Sequence, residues 1–185
     1  PGRLLAALAP FVQRGVPIVG LEPSCLLGLR DEIPVLLPSG ESKALAGAAL
    51  LFEEFLAAEA AAARLDLPLK PLAKRALLHP HCHQKAFGVV GAVERTLRLV
   101  PGLDVQTIEA GCCGMAGAFG FGADTFEISM RMAQEALFPA LARAGSDIIV
   151  IANGTSCRHQ IADGAGRAAV HVARVLEQAL MEKRT

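Results

Sequence analysis

Short apolar runs alternate along the chain with longer segments whose apolar residues recur at helical spacing. The short runs predict four strands, at 16–21, 75–79, 105–110 and 147–152. The longer segments predict helices at 3–14, from Ser39 to about 64, around 90–97, around 128–136 and from 171 to about 183. This alternation predicts an α/β fold, a Rossmann-like three-layer domain with a mostly parallel sheet and helices on both faces.

Polar residues and prolines mark the ends of the predicted helices. Ser39 is a typical N-cap residue, and Asp124 followed by Glu127 has the spacing of a capping box. Pro139 interrupts the pattern that follows, and it predicts a kink or a new turn because proline cannot donate a backbone hydrogen bond. Each signal indicates where we expect a helix to begin or break.

Composition and charge exclude some classes of function. The 185 residues are 52% apolar and carry a formal net charge of zero, so the chain has no electrostatic footprint for nucleic acid. It contains no Trp and no Tyr, which leaves few aromatic rings for stacking on bases. The longest charge-free stretch, 110–123, is glycine-rich and shorter than the roughly 20 apolar residues of a membrane helix. Because the chain opens with Pro1, we expect a piece of a longer protein.

The cysteines follow the ends of the predicted strands. Cys25 follows the first strand and Cys82 the second, Cys112 and Cys113 follow the third, and Cys157 follows the fourth. Carboxyl ends of parallel strands share one edge of a sheet, so we expect these thiols to converge. An odd number of cysteines without secretory features argues for a reducing, cytoplasmic setting rather than a disulfide framework. Convergent thiols in such a setting predict a metal or cluster site.

A glycine-rich loop surrounds the adjacent pair Cys112 and Cys113. Gly114 and Gly117 allow the backbone to approach bulky inorganic sulfides and to donate N–H···S hydrogen bonds, so we expect both to contribute to cofactor binding. The glycine spacing from 114 to 122 reverses that of the G-x-G-x-x-G fingerprint. Dinucleotide binding by this loop is therefore not indicated.

Histidines and cations accompany the thiols. His79, His81 and His83 surround Cys82, which leaves two interpretations open: metal ligands, or hydrogen-bond donors at the mouth of the site. Zinc sites built from Cys and His usually contain Cys-x-x-Cys knuckles, and this sequence has none. Three cations are expected near the same edge, either solvated or as countercharges: Lys85, Arg158 and Arg167.

Four motifs together resemble a known family. Pro80-His-Cys-His83, Cys112-Cys-Gly-Met-Ala-Gly117 and Asn153-Gly-Thr-Ser-Cys157 resemble the cysteine-rich "CCG" domain. That domain occurs in iron–sulfur subunits of glycolate oxidase, anaerobic glycerol-3-phosphate dehydrogenase and heterodisulfide reductase. Glu22-Pro-Ser-Cys25 and the segment 154–160 are most similar to the version fused to FAD-linked oxidases of D-2-hydroxy acids. The resemblance covers about 16–180.

The resemblance implies electron transfer. It implies that 1–185 is a single CCG domain, the C-terminal part of a longer flavin and iron–sulfur oxidoreductase, with an iron–sulfur cluster of the 4Fe-4S type. The implied ligands are Cys25, Cys82, Cys112, Cys113 and Cys157. A flavin-binding dehydrogenase domain elsewhere would hold FAD and oxidise a 2-hydroxy acid such as glycolate or D-lactate. The other implied partners are a ferredoxin-like domain or second CCG copy, and a quinone or other electron acceptor.

Two departures from the family pattern keep other functions open. The heterodisulfide reductase form ends in a Cys-x-x-Cys pair, whereas Gly154 and Gln160 stand at the two possible partner positions of Cys157. The chain also holds one copy of a domain that is often duplicated. A zinc-binding or metal-free docking domain therefore remains an alternative. A redox switch between Cys112 and Cys113 is disfavoured, since adjacent cysteines close only strained rings. The segment shows no acid–base pair, nucleophile triad or flavin motif, so catalysis is expected elsewhere.

Overall fold

The computed structural model describes residues 1–181 and shows an α/β protein. Its strands are β1 (Ile18–Gly20), β2 (Ala49–Leu51), β3 (Arg75–Leu78), β4 (Asp104–Thr107), β5 (Ile149–Ile151) and β6 (Ala169–Val170). The first helices are α1 (Gly2–Gln13), α2 (Pro23–Leu27), α3 (Glu32–Leu36), α4 (Gly40–Ala48), α5 (Phe52–Ala61) and α6 (Cys82–Ala86). The others are α7 (Val90–Leu97), α8 (Phe126–Glu135), α9 (Leu137–Arg143), α10 (Thr155–Ala165) and α11 (Val172–Ala179), with a 3-10 turn at Phe119–Phe121.

The strands form two parallel sheets. The larger sheet has the order β4-β3-β5-β6, and β1 pairs with β2 in a separate two-stranded sheet. Leu78 at the end of β3 is in register with Thr107 of β4 and with Ile151 of β5. Because these three strands are parallel and end level with one another, the segments that follow them begin at the same edge.

Helices cover both faces of the larger sheet. Ala76 and Leu78 of β3 pack into a core with residues of α5, α7 and α11. Leu77, which points the opposite way, packs into a second core with residues of α8, α9 and α10. A strand buried on both faces reads as a continuous apolar run, as this one does. The predicted three-layer, mostly parallel α/β fold is confirmed.

The prediction of one long helix from Ser39 to about 64 is wrong. Ser39 does cap α4, since its Oγ accepts a hydrogen bond from the Ser42 N–H at 3.1 Å. The helix then stops, because Ala49–Leu51 extends and pairs with β1. Leu51 is fully buried in a third core, formed by β2 with helices α1 to α4. An apolar run this short fits a helix or a strand, and here tertiary pairing selects the strand.

The other predicted helix boundaries agree with the structure at some positions and not at others. The capping box at Asp124 and Glu127 is wrong: α8 begins at Phe126, and Thr125 before it provides no side-chain cap. The break at Pro139 is confirmed, because a new helix, α9, starts two residues earlier. The two-residue strand β6 lacks a sequence signal. The last helix is shorter than predicted: α11 ends at Ala179, where the backbone of Leu180 turns extended, although the predicted end near 183 itself lies outside the described residues. None of the helices within residues 1–181 has the length and apolar character needed to cross a bilayer.

Candidate metal centre

A cavity of about 440 Å³ opens at the carboxyl edge of the larger sheet. Segments that follow β3, β4 and β5 surround it, together with the start of α2. Its lining residues are Ser24, Glu32, His81, Cys82, His83, Cys112, Cys113, Ala116, Gly117 and Ser156. Three of the predicted ligands therefore share one cavity.

The thiols of four cysteines form a connected chain. The side chain of Cys82 hydrogen-bonds Cys112, and that of Cys112 also hydrogen-bonds Cys113. Cys113 in turn hydrogen-bonds Cys157. All of them are free thiols, with Cys113 and Cys157 buried and Cys82 and Cys112 half-buried. The structure thus brings together four of the five cysteines that the sequence singled out, and their role as ligands stays a prediction.

The surroundings favour the thiolate form of Cys112. Hydrogen bonds from the side chains of Cys113 and Cys82 hold its pKa far below the usual range for a thiol. The backbone N–H groups of Gly114 and Ala116 lower the pKa further. The Gly114 N–H donates to the Cys112 Sγ at an N···S distance of 3.3 Å. Such N–H···S bonds from a glycine-rich loop are the contacts expected around a metal-bound thiolate.

Cys157 is the second thiol favoured as a thiolate. A hydrogen bond with Cys113 lowers its pKa to about 5, and the neighbouring His79 side chain adds to this effect against the opposing influence of burial. The two remaining thiols act as donors: the hydrogen bond with Cys112 raises the pKa of both Cys82 and Cys113, and burial reinforces it. Along the chain of four sulfurs, thiols with a raised pKa therefore alternate with thiols with a lowered pKa.

Helix starts supply further positive potential. Cys82 is the first residue of α6, which His81 precedes as the N-cap residue. Cys157 lies in the first turn of α10. The positive end of a helix dipole and its free N–H groups favour an anionic sulfur. These positions follow from the topology, because only three residues separate the end of β3 from α6, and only three separate the end of β5 from α10.

His79 lies beside the two buried thiols. A ring nitrogen of His79 and the Sγ atoms of Cys113 and Cys157 all lie within 4.8 Å of one another. The His79 side chain is 1% exposed, and its Nδ1 has no hydrogen-bond partner among the described residues. From the sequence alone, His79 could not be distinguished from the two other histidines around Cys82.

Cys25 stands apart from the other cysteines. It is exposed on α2, where its neighbour Ser24 contributes to the cavity wall. Helix α2 packs against α6, which carries Cys82. The role of Cys25 as a fifth ligand therefore stays a prediction that no contact among the described residues supports.

The two predicted glycines have left-handed backbones. Gly114 has φ +96°, and a Cβ placed there would overlap the carbonyl oxygen of Ser129. Gly117 has φ +71° and open space around its Cα. Ser129 itself is fully buried, and its Oγ accepts a hydrogen bond from Gln160 at 3.0 Å. The turn that carries Cys112 and Cys113 is thus packed directly against α8 and α10.

Two of the three predicted cations lie at this edge. Lys85 donates to the carbonyl oxygens of Ala110, at 2.6 Å, and Gly111, so it joins α6 to the cysteine loop. Arg158 donates to the carbonyl oxygens of Ala152 and Asn153 after β5.

The placement of Arg167 at the cysteine edge is wrong. Its guanidinium donates to carbonyl oxygens that precede β5, including those of Gly145 and Ile148. The physical reason is the direction of α10, which runs back along the sheet. Its eleven residues at about 1.5 Å each return the chain to the amino ends of the strands.

The fold and the site define an α/β protein with a thiol-lined cavity at the carboxyl edge of a parallel sheet, a donor set suited to a metal or cluster. One subunit of anaerobic glycerol-3-phosphate dehydrogenase from Escherichia coli K12 is 29% identical over 167 residues, which are 90% of this chain and 41% of that protein. The chain therefore spans less than half the length of this relative.

Two further relatives carry the name D-2-hydroxyglutarate dehydrogenase. The protein from Haemophilus influenzae is 31% identical over 164 residues, 83% of this chain and 16% of its own length. The protein from Escherichia coli K12 is 28% identical over 176 residues, 91% of this chain and 16% of its own length. No protein-family model matches the chain, and no solved structure matches it.

Proposed function

We propose that this chain is an iron–sulfur electron-transfer domain of a flavin-dependent 2-hydroxy-acid dehydrogenase of the glycolate or D-lactate type. The observation that carries the proposal is the meeting of Cys82, Cys112, Cys113 and Cys157 at one sheet edge. Similarity to part of a glycerol-3-phosphate dehydrogenase and to D-2-hydroxyglutarate dehydrogenases supports a redox role. Both names describe dehydrogenases of a hydroxyl-bearing acid or phosphate ester.

The residues present fit an iron–sulfur cluster of the 4Fe-4S type. Such a cluster needs thiolates that approach from different directions, and here they come from three separate strand ends. The loop at Gly114 gives close backbone approach and an N–H···S bond to Cys112. The helix starts at Cys82 and Cys157 complement the negative charge that thiolates and sulfides would bring.

In this function the residues of the chain would hold the cluster and shield it from water. When bound, the cluster supplies reversible one-electron chemistry. Burial of Cys113 and Cys157 keeps water away from one side, while the half-buried Cys82 and Cys112 face the cavity. Electrons would enter or leave on that open side, because transfer needs a short path to a partner.

The remaining parts of the enzyme would lie outside this chain. FAD would be bound by a flavin-binding dehydrogenase domain, where the 2-hydroxy acid is oxidised. A ferredoxin-like domain or second CCG copy would pass the electrons onward, and a quinone or other carrier would accept them. On this proposal, residues 1–185 form a single CCG domain near the C-terminal end of a longer polypeptide or complex.

A zinc-binding structural domain is the second candidate, because one observation favours it. His79, Cys113 and Cys157 form a compact donor set of the kind that zinc also binds. Zinc would take these three ligands and one more, and it would leave the chain colourless and without redox activity.

Anaerobic metal analysis of the purified chain separates the two candidates. The cluster proposal predicts a brown protein with several irons and a matching amount of inorganic sulfide per chain. Substituting Cys82→Ser or Cys112→Ser should then remove most of the iron. One zinc per chain without sulfide, before and after anaerobic reconstitution with iron and sulfide, would overturn it.

Cys25→Ser is the matched control for the other cysteine variants. It removes a thiol of the same kind from the neighbouring helix α2, where the side chain is exposed. We expect this variant to keep its iron. A loss of iron equal to that of Cys82→Ser would instead make Cys25 the fifth ligand.

A further inference from the structure

His79 is held rigidly at the edge where the thiols meet. It directly follows β3, and its backbone N–H donates to the Ile151 carbonyl oxygen at 2.8 Å. The sheet ladder between β3 and β5 therefore continues through this residue. Its side chain is 1% exposed, so the imidazole has a fixed position inside the protein.

The imidazole lies among sulfurs rather than among ordinary hydrogen-bond partners. One of its ring nitrogens, together with the Sγ atoms of Cys113 and Cys157, makes a group in which every pair of donor atoms is within 4.8 Å. Both cysteines are nearly inaccessible, with exposures of 3% and 2%. A metal atom between them would reach all three donors with small side-chain movements.

The Nδ1 atom of His79 is buried and has no hydrogen-bond partner within residues 1–181. Leaving a buried polar atom without a partner is destabilising, so native proteins rarely keep one without a reason. By contrast, the Nδ1 of His81 accepts the His83 N–H at 3.2 Å, and the Nδ1 of His171 accepts the Ala173 N–H at 3.0 Å. Those two rings are engaged in capping helices.

His83 provides the useful comparison. Its Nδ1 is also buried without a partner in the described part of the chain, but the ring is only half-buried and lines the open cavity. It is not part of the donor group around Cys113 and Cys157. Burial, an unpartnered nitrogen and proximity to two thiols coincide at His79.

We propose that His79 is a ligand of the centre, binding one iron through a ring nitrogen beside Cys113 and Cys157. This inference rests on the proposed iron–sulfur function. A neutral imidazole suits iron as a ligand and carries no negative charge, in contrast to a thiolate. Replacing a thiolate ligand by imidazole raises the reduction potential of a cluster. With His79 in the fifth ligand position that the sequence assigned to the exposed Cys25, the site would therefore accept electrons more readily than a site with five cysteines.

Isotope labelling tests this assignment in the intact chain. The protein is prepared anaerobically with ¹⁵N-histidine, reduced with dithionite, and examined by pulsed EPR. A directly bound imidazole gives a strong nitrogen hyperfine coupling, and it should change from the ¹⁴N to the ¹⁵N pattern on labelling. Backbone N–H groups near the sulfurs give only weak couplings, which histidine labelling leaves unchanged.

Variants identify which histidine is responsible. His79→Cys should keep the cluster, lose the strong nitrogen coupling and shift the reduction potential to a more negative value. His83→Ala should keep the strong nitrogen coupling of the unmodified protein. Absence of any label-sensitive coupling in the unmodified protein, or its survival in His79→Cys, would overturn the proposal. A chain without iron–sulfur absorption or an EPR signal would mark failure of the proposed function itself.

Discussion

Glu22 caps the helix that carries Cys157, although it lies 133 positions before Thr155. One oxygen of its carboxylate accepts the Thr155 N–H at 2.9 Å and the Thr155 hydroxyl at 2.8 Å. The residue before α10 is Gly154, which has no side chain to cap it. The motif around Cys25 thus contributes to the site through Glu22, even though Cys25 itself is exposed.

Removing this cap should destabilise the start of α10. Glu22→Ala should lower the free energy of unfolding by about 1–2 kcal/mol, the usual effect of losing an N-cap. The pKa of Glu22 bears on the pH dependence. Burial raises this pKa, but the hydrogen bonds from Thr155 and Ser24 and the nearby His81 together outweigh burial and leave the pKa below 4.5. The stabilisation is therefore present above pH 4.5 and is lost as the pH falls through the lowered pKa.

Denaturant unfolding at neutral pH checks this prediction. Asp163→Ala is the matched control, because it removes an exposed carboxylate from the same helix. The control should change stability by less than about 0.5 kcal/mol. If the two variants unfold at the same denaturant concentration, the capping role of Glu22 is wrong.

Glu53 should make the protein less stable as the pH rises. Its carboxylate is 1% exposed, accepts the Asn153 amide at 2.8 Å and lies 3.7 Å from the His171 ring. Burial raises its pKa from 4.5 to about 7, with a smaller contribution from the charge of Glu54. Glu54 is itself paired with Arg30 at 2.5 Å. The folded state thus binds more protons than the unfolded state between pH 4.5 and 7, and stability falls across that window.

Comparing Glu53→Gln with the unmodified protein isolates this effect. The glutamine keeps an acceptor for Asn153 but carries no charge at any pH. Its stability relative to the unmodified protein should rise by up to about 3 kcal/mol between pH 4.5 and 8. Glu59→Gln provides a control of opposite sign, because the hydrogen bond from Arg64 lowers the pKa of Glu59. A flat difference for Glu53→Gln across this range would contradict the account.

The two glycines of the cysteine loop should differ in their tolerance of a methyl group. Gly117→Ala should cost about 1 kcal/mol, because only its left-handed backbone opposes a side chain. Gly114→Ala adds an overlap with the Ser129 carbonyl oxygen and should cost at least about 3 kcal/mol. Anaerobic denaturant unfolding of both variants measures the difference. Equal losses would show that the packing against α8 does not matter.

Lys85 should hold the cysteine loop in place. Lys85→Met removes the hydrogen bonds to Ala110 and Gly111, and amide hydrogen exchange in 110–117 should become about tenfold faster. Lys85→Arg keeps a cation with several donors and should change exchange much less. Exchange in α1, far from the loop in sequence, serves as the internal reference. Unchanged exchange in the methionine variant would mean that the loop is fixed by other contacts.

The strand ends could be predicted from the sequence, and the cross-chain contacts could not. Cys82, Cys112 and Cys157 each follow a strand of one parallel sheet, so they lie at the same edge of that sheet. An error of one or two residues in the predicted strand bounds does not change this placement. The sequence did not predict strand β2. This strand is only three residues long and lies between two segments with helical periodicity, so it shows no alternating pattern of its own. Glu22 and Thr155 meet only through tertiary folding, which local patterns do not encode.

His79 and Arg167 illustrate the same limit. The sequence placed His79 near the site but could not separate it from its neighbours, because burial and an unpartnered nitrogen appear only in three dimensions. Arg167 was assigned to the wrong edge because the direction of α10 was not taken into account. Its distance from Cys157 in sequence, about one helix length, was the available signal.

The most direct measurement of the central claim is a reductive titration of the anaerobically purified chain, followed by visible absorption and EPR. If the four cysteines hold an iron–sulfur cluster, brown absorption should bleach reversibly as one electron is taken up per cluster, with an EPR signal that appears and disappears in step. A colourless chain with one bound zinc, silent to dithionite after reconstitution with iron and sulfide, would contradict the account.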